Sequence, residues 1–202
     1  MTSTIEPKLA PPGAGLPPLE LFIGRVMFTL NRWTTTRERS TARFQRAREA
    51  IRALVCSCDE ETGAQRVLIA RPLGLEDSSR YWSVWMTLDH LRIVHHSFVR
   101  VIRALTNGSV PPGRASTADV KPSPDAPHTV LADYEQSCDE LLATVAEAPN
   151  LNTRVRYAHP WFGPLNAAGW HALSGGHLSI HRVQIERIFA GLSAPPLLAE
   201  KR

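Results

Sequence analysis

Four long stretches of this sequence place apolar residues at the spacing of a helix, and almost none of the chain alternates as a strand does. The stretches lie at about residues 35–55, 79–105, 129–148 and 166–190, and a shorter one at 19–31 precedes them. The first long helix is predicted to open at a capping box of Thr35 and Glu38. A helix cannot bury its apolar side alone, so the four are expected to pack together. The sequence therefore predicts an all-α fold, a four-helix bundle with an extra short N-terminal helix.

The composition divides the chain into one domain with two tails. Its 202 residues and 43% hydrophobic content are typical of a single globular domain. Residues 1–18 are rich in Pro, Gly, Ser and Thr and are predicted to be a disordered lead-in. Residues 19–190 are predicted to form the domain, and 191–202 a C-terminal tail. The Pro-rich stretch 106–128 is interpreted as a long surface loop, because the chain that follows is too short to fold alone.

Cysteine usage and charge restrict the compartment and the partners. Cys56, Cys58 and Cys138 are an odd number without a disulfide framework, which favours a reducing compartment. The N-terminus does not resemble a secretory signal, and no apolar run is long enough to span a bilayer. We therefore expect a cytoplasmic protein without membrane contact. A formal net charge of +4 is too small to indicate a dedicated nucleic-acid-binding protein.

Three of the eight histidines are predicted to point into the bundle. His177 and His181 are four residues apart, which places both rings on one face of the last helix. His90 lies on the apolar side of the second long helix. Burying imidazoles without partners costs free energy, so a metal ion shared by the three rings is one interpretation. Hydrogen-bonded core histidines are the alternative.

Other side chains are expected near these histidines. The apolar arc that contains His177 and His181 also holds Trp170, Leu173, Ile180, Gln184 and Ile188, and Met86 lies one turn before His90. Gln184 is expected either to orient an imidazole through a hydrogen bond or to belong to a polar network in the core. His159 is interpreted as a loop-packing residue.

Two segments of the chain resemble the DinB-like superfamily. One is the loop His159–Leu165, with the sequence HPWFGPL, followed on the last helix by Trp170, Leu173, His177, His181 and Gln184. The other is Trp82 and Ser83 followed by Leu88, Asp89, His90 and Leu91. The similarity is strongest to a bacterial branch with an H-P-x-F-G-x-L loop and an H-x-x-x-H last helix. It covers residues 80–105 and 155–190 well.

The resemblance implies a topology, a cofactor and a ligand set. The topology is an up-down-down-up bundle, which is often homodimeric. The cofactor is one divalent metal ion, zinc or nickel first and manganese or iron as alternatives. Carried over by position, the ligands are His90, His177 and His181. The chain departs from close relatives at Ile180, where they often carry a further histidine, and in the unusual Gly175-Gly176 pair within a helix.

The function that follows stays open between three interpretations. Three neutral imidazoles leave the charge of the ion uncompensated, so it lowers the pKa of a bound thiol or water. The resemblance implies a thiol-dependent S-transferase or isomerase that acts on a small molecule with a low-molecular-weight thiol. A hydrolase is less favoured, because the nearest carboxylate, Asp89, points about 100° away from His90. A non-catalytic, metal-stabilised binding or stress-response protein is the third interpretation.

Overall fold

The computed structural model describes residues 6–193, and its long helices lie close to the predicted ones. They are α1 (Pro18–Thr34), α2 (Arg37–Val55), α4 (Val84–Thr106), α5 (Val130–Glu147) and α6 (Ala167–Ser193), with a short α3 (Glu60–Ala64) between α2 and α4. Four of them, α2, α4, α5 and α6, pack around one hydrophobic core. The prediction of an all-α four-helix bundle is confirmed. Residues 1–5 and 194–202 of the predicted tails lie outside the described residues.

The four bundle helices run up, down, down and up. α2 and α6 are parallel, because side chains near the starts of both helices touch. α4 is antiparallel to α6, since the end of one lies beside the start of the other, and the same holds for α5 and α2. Thr41 contacts His171 near the starts of α2 and α6, and Phe98 in the second half of α4 contacts Trp170 near the start of α6. Arg37 at the start of α2 contacts Ala148 just after the end of α5.

Residues 107–129, the crossing loop, connect two helices that run in the same direction. A chain that leaves the end of α4 must return along the bundle before α5 can begin, which explains the length of the predicted Pro-rich loop. The backbone N–H of Ser123 donates to the Asp89 carboxylate at 2.8 Å. The ammonium of Lys121 donates to the Glu76 carboxylate, also at 2.8 Å. The crossing loop is therefore held against α4 and the segment before it.

Two small antiparallel sheets supplement the helices. β1 (Val67–Leu68) pairs with β2 (Tyr81–Trp82), and β3 (Tyr157–His159) pairs with β4 (Gly163–Leu165). Strands of two or three residues are too short to show alternation, so periodicity alone does not predict the β3–β4 hairpin. This hairpin leads directly into α6.

The start of α2 differs from the prediction by one residue. The N-cap is Thr36, whose side chain accepts a hydrogen bond from the backbone N–H of Arg39 at 3.3 Å. The hydroxyl of Thr35 lies instead 3.2 Å from that of Ser40. The predicted capping box of Thr35 and Glu38 is therefore wrong, because the helix begins one residue later, after Thr36, whose third following residue is Arg39 and not a glutamate.

α1 lies outside the core and has no buried residue. The contacts that attach it include the ion pair of Glu20 with Arg71, a hydrogen bond from Arg25 to the Trp161 carbonyl, and the ring contact of Phe28 with Phe162. Before it, residues 6–17 form no helix or strand, and the backbone N–H of Ala10 donates to Asp77 at 2.8 Å. Between residues 6 and 193, no helix combines the length and the hydropathy that a bilayer crossing requires.

Gly175 allows α6 to approach α2 closely. A Cβ added at this position would lie 3.0 Å from the backbone nitrogen of Phe44, which is closer than real Cβ contacts normally are. Gly176 is less confined, since the nearest atom is 3.7 Å away on the mobile end of Arg43. The unusual glycine pair therefore has a packing reason at its first member, just before the helical turns that carry His177 and His181.

We predict that Gly175→Ala lowers the free energy of unfolding by about 1–3 kcal/mol, because the added methyl group meets the α2 backbone. Gly24→Ala on α1 is the matched control: a Cβ there has no neighbour within 4 Å, and alanine favours a helix by about 1 kcal/mol. Urea unfolding followed by circular dichroism measures both. A Gly175→Ala variant as stable as the unchanged protein would contradict the close approach.

Candidate metal centre

The structure brings the three predicted histidines together. His90 projects from α4, and His177 and His181 project from successive turns of α6. One ring nitrogen of each lies within 4.8 Å of the other two. The Nε2 atom of His177 is 3.3 Å from Nε2 of His90 and 3.2 Å from Nε2 of His181. Two nitrogens bound to zinc at 2.0–2.1 Å in a tetrahedral arrangement are about 3.3 Å apart, so these spacings fit a shared ion.

Hydrogen bonds place the protons of two of these rings on their outer nitrogens. Nδ1 of His90 lies 2.6 Å from the carbonyl oxygen of Val120, which only accepts, so Nδ1 carries the proton. Nδ1 of His181 lies 2.6 Å from Oε1 of Gln184. The Gln184 amide nitrogen donates to the Ser79 carbonyl at 2.7 Å, which fixes the orientation of the amide. Both histidines therefore turn an Nε2 lone pair inward.

Protein atoms alone leave this group of nitrogens unsatisfied. His177 can offer at most one Nε2–H to the two lone pairs that face it, and none if its proton is on Nδ1. Within residues 6–193, Nδ1 of His177 has no hydrogen-bond partner. At least one pair of nitrogens at about hydrogen-bond distance therefore has no proton between them. A cation that accepts all three lone pairs removes that repulsion, so the donor set fits a divalent metal ion.

Burial keeps the three rings neutral near pH 7. Removal from water lowers the pKa of His90 to about 4. The same cause lowers the pKa of His177 and of His181 well below the ordinary value, and the neighbouring imidazoles lower both further. The neutral imidazole is the form that binds a metal, so an ion entering this site displaces no proton from these rings.

Trp82 packs against two of the three rings. Its indole is stacked on His181, with an interplanar angle of 6° and centroids 6.3 Å apart, and its centroid is 5.1 Å from that of His90. The Lys121 ammonium lies 5.5 Å from the Trp82 ring. These contacts restrict rotation of the imidazoles. From sequence alone, Trp82 is recognisable only as part of a family motif, and its contacts with the two imidazoles are not predicted.

The remaining predicted neighbours are divided between the site, a cleft and the core. Gln184 is fully buried and contacts His181, and Trp170 lines the cleft into which the histidines open. Met86 is buried in the core and is not part of the cleft lining. It lies one turn before His90, at a level of α4 that the cleft does not reach.

His159 is the residue whose importance the sequence analysis underestimated. Its Nδ1 accepts the backbone N–H groups of Trp161, at 3.1 Å, and Phe162, at 3.4 Å, so the ring does hold the hairpin turn. Burial lowers the pKa of His159 to about 4, which leaves one proton on Nε2. The hydrogen bonds of His159 to described residues are both made at Nδ1, and the ring lines the same cleft as His177.

The cleft has a volume of about 1600 Å³ and contains few acidic groups. They are Glu20, Glu76 and Asp119. Glu20 is paired with Arg71. Glu76 is 5% exposed and accepts hydrogen bonds from Lys121 and Thr117, each at 2.8 Å. The buried acidic group of the cleft is thus engaged by donors and is not placed as a free base.

A family model described as the DinB superfamily matches residues 43–185, more than half of the chain and all three histidines. The chain belongs to the DinB superfamily. The predicted resemblance is confirmed. The three histidines of this chain form a group that could hold a metal ion.

The crystal structure of TT2238, a four-helix bundle protein, is similar to this chain, with a TM-score of 0.54 and 24% identity, and the match covers 75% of this chain and 98% of that chain. This likeness supports the fold alone. No curated protein matches the chain.

We predict that Gln184→Leu weakens zinc binding by roughly tenfold to a hundredfold, because His181 loses the acceptor that orients its ring. Gln45→Leu, at an exposed position of α2, is the control and is expected to bind zinc as the unchanged protein does. Competition with a chromophoric chelator measures the affinity on folded protein. Equal affinities in the two variants would show that Gln184 does not position His181 for a metal.

Proposed function

We propose that this protein is a metal-dependent transferase that joins a low-molecular-weight thiol to a small-molecule substrate at the three-histidine centre. The observation that carries the proposal is the group of three Nε2 atoms at the spacing of a tetrahedral metal site. At least two of these atoms, in His90 and His181, present a lone pair, because the proton of each ring is held on Nδ1. The centre opens to the cleft, as catalytic rather than structural metal sites do. His90, His177 and His181 would hold the ion.

A zinc or nickel ion in this site would lower the pKa of a thiol bound to it. In the transfer, the thiol releases its S–H proton to water in the open cleft, and its sulfur forms a bond to an electrophilic carbon of the substrate. The leaving group departs from that carbon with the electron pair of the broken bond. His159 cannot take up the thiol proton, because its Nδ1 accepts two backbone N–H groups and its Nε2 already carries a proton. It acts as a hydrogen-bond donor to the substrate. An isomerase would use the same groups, with the thiol leaving again.

The two buried acidic side chains near the centre support thiol transfer over hydrolysis, and Asp119, the cleft carboxylate without an ion pair among the described residues, is exposed on the crossing loop. Metal-dependent hydrolysis usually uses a carboxylate base near the ion. Asp89 accepts from Arg92 at 2.8 Å and from the backbone of Ser123 at 2.8 Å, and Glu76 is paired with Lys121. A non-catalytic, metal-stabilised binding protein remains the second candidate, because all three ligands come from α4 and α6 and an ion would tie these two helices together.

Two further proposals concern assembly and compartment. The outward side of α1 exposes Phe22, Val26, Leu30 and Trp33, and a contiguous apolar stripe of this kind is typical of an interface between proteins. We propose that it forms a homodimer interface. The free thiols of Cys56, Cys58 and Cys138 support a reducing, cytoplasmic location.

We predict about one metal ion per chain in protein purified without a histidine tag and without added metal. Mass spectrometry is expected to find almost none in His177→Ala/His181→Ala, because two of three ligands are lost. His96→Ala/His128→Ala removes two histidines outside the centre and should keep the ion. Absence of metal from the unchanged protein, even after reconstitution with zinc, nickel, manganese and iron, would overturn the proposal.

We predict that the metal-loaded protein accelerates conjugation of cysteine or glutathione with an aryl halide, and that His159→Asn lowers kcat/KM by roughly tenfold to a hundredfold. Asparagine retains an acceptor near the Nδ1 position, so the hairpin turn and the metal content should persist while the Nε2–H donor is lost. Thiol loss measured colorimetrically gives the rate. Equal rates in loaded and metal-free protein would contradict the transferase, and an unchanged kcat/KM in His159→Asn would restrict His159 to the turn.

A further inference from the structure

α1 presents apolar side chains to a space that no other part of the described chain fills. Leu19, Ile23 and Met27 line the cleft at successive helical turns, yet they are 72%, 52% and 62% exposed. A helix with such a stripe normally buries it against a neighbour. Here the opposite wall of the cleft does not reach α1, so the stripe faces the open volume.

The opposite wall is mainly apolar as well, although Arg100, Arg182 and Arg187 also line the cleft. It is formed by α4 and α6, and its apolar members are Ile93, Val94, Phe98, Val101, Leu173 and Ile180. The volume between the walls, about 1600 Å³, exceeds the 300–1000 Å³ or so that holds most small ligands. Water between two apolar walls is unfavourable, and a hydrophobic molecule would remove both walls from water at once. The three histidines lie in this same cleft.

The way in which α1 is attached favours a small molecule over a second protein as the occupant. Glu20 pairs with Arg71 near the start of α1, and Phe28 contacts Phe162 further along, with ring centroids 4.7 Å apart. Arg25 donates to the Trp161 carbonyl at 2.6 Å. These contacts hold α1 across the cleft as its outer wall, so a helix from another chain would have to displace it. A small molecule needs no such displacement.

We infer that the cleft binds a hydrophobic substrate of lipid size, with its apolar body between α1 and the α4–α6 wall and its polar reacting group at the three-histidine centre. The position of the reacting group rests on the proposed function. The apolar site does not, because it is made of side chains that are not metal ligands. The outward stripe of α1 stays available for a second copy of the chain.

The experiment is a fluorescence titration of the full-length, metal-loaded protein with N-phenyl-1-naphthylamine, a neutral apolar probe. Met27→Glu and Phe22→Glu are a matched pair on one helix, since the two side chains are 62% and 63% exposed but only Met27 lines the cleft. We expect saturable binding of about one probe per chain, at least tenfold weaker in Met27→Glu and unchanged in Phe22→Glu. Ile93→Trp, which fills the cleft from α4, should weaken binding too, and circular dichroism checks the fold of each variant.

The following outcomes decide the inference. No saturable binding by the unchanged protein overturns it. Equal loss in Met27→Glu and Phe22→Glu, together with dissociation of a dimer in light scattering, assigns the apolar face to an interface between copies and also overturns it. Retained binding in His177→Ala/His181→Ala, with the metal lost, supports an apolar site independent of the ion. If the unchanged protein binds the probe but holds no metal ion, only the proposed function is refuted. If it holds the metal ion but does not bind the probe, only this inference is refuted.

Discussion

The parallel packing of α4 and α5 is the constraint on which the site depends. Two neighbouring helices that run in the same direction oblige the chain to travel back along the bundle, and the crossing loop makes that return. Its path passes over the first half of α4, where the Val120 carbonyl meets His90 and Lys121 meets Glu76 and Trp82. The topology of the bundle thus supplies the acceptor that decides which nitrogen of His90 is free.

The site is organised before any ion arrives. The two acceptors that hold the protons of His90 and His181 belong to different parts of the chain, the Val120 carbonyl and the Gln184 amide. The Gln184 amide is anchored by the Ser79 carbonyl, and the crossing loop that carries Val120 is held by Lys121 and Ser123. Burial without such partners would be costly for an imidazole. The same burial keeps the rings neutral, so the energetic cost of dehydrating them is met by folding and not by metal binding.

Periodicity was sufficient for the long helices and for the inward direction of His90, His177 and His181, because both follow from 3.6 residues per turn. That the three rings meet depends on the register between α4 and α6, which the helical period does not fix. Periodicity could not show where the core ends. A helical wheel shows that Leu173 and Ile180 are apolar, but not that the neighbouring helix fails to reach them, and both line the cleft. His159 was missed for a different reason, since its position depends on a hairpin whose strands are too short to be recognised.

α1 makes no contribution to the buried core, and this separates it from the four helices behind it. Substitutions in the bundle must satisfy packing, the crossing loop and the imidazole partners together, so few are neutral. Apart from Glu20, Arg25 and Phe28, which attach the helix, the exposed side chains of α1 meet none of these demands. These exposed positions therefore accept substitutions that the bundle does not. The outer wall of the cleft can be altered with less loss of stability than the histidine centre behind it.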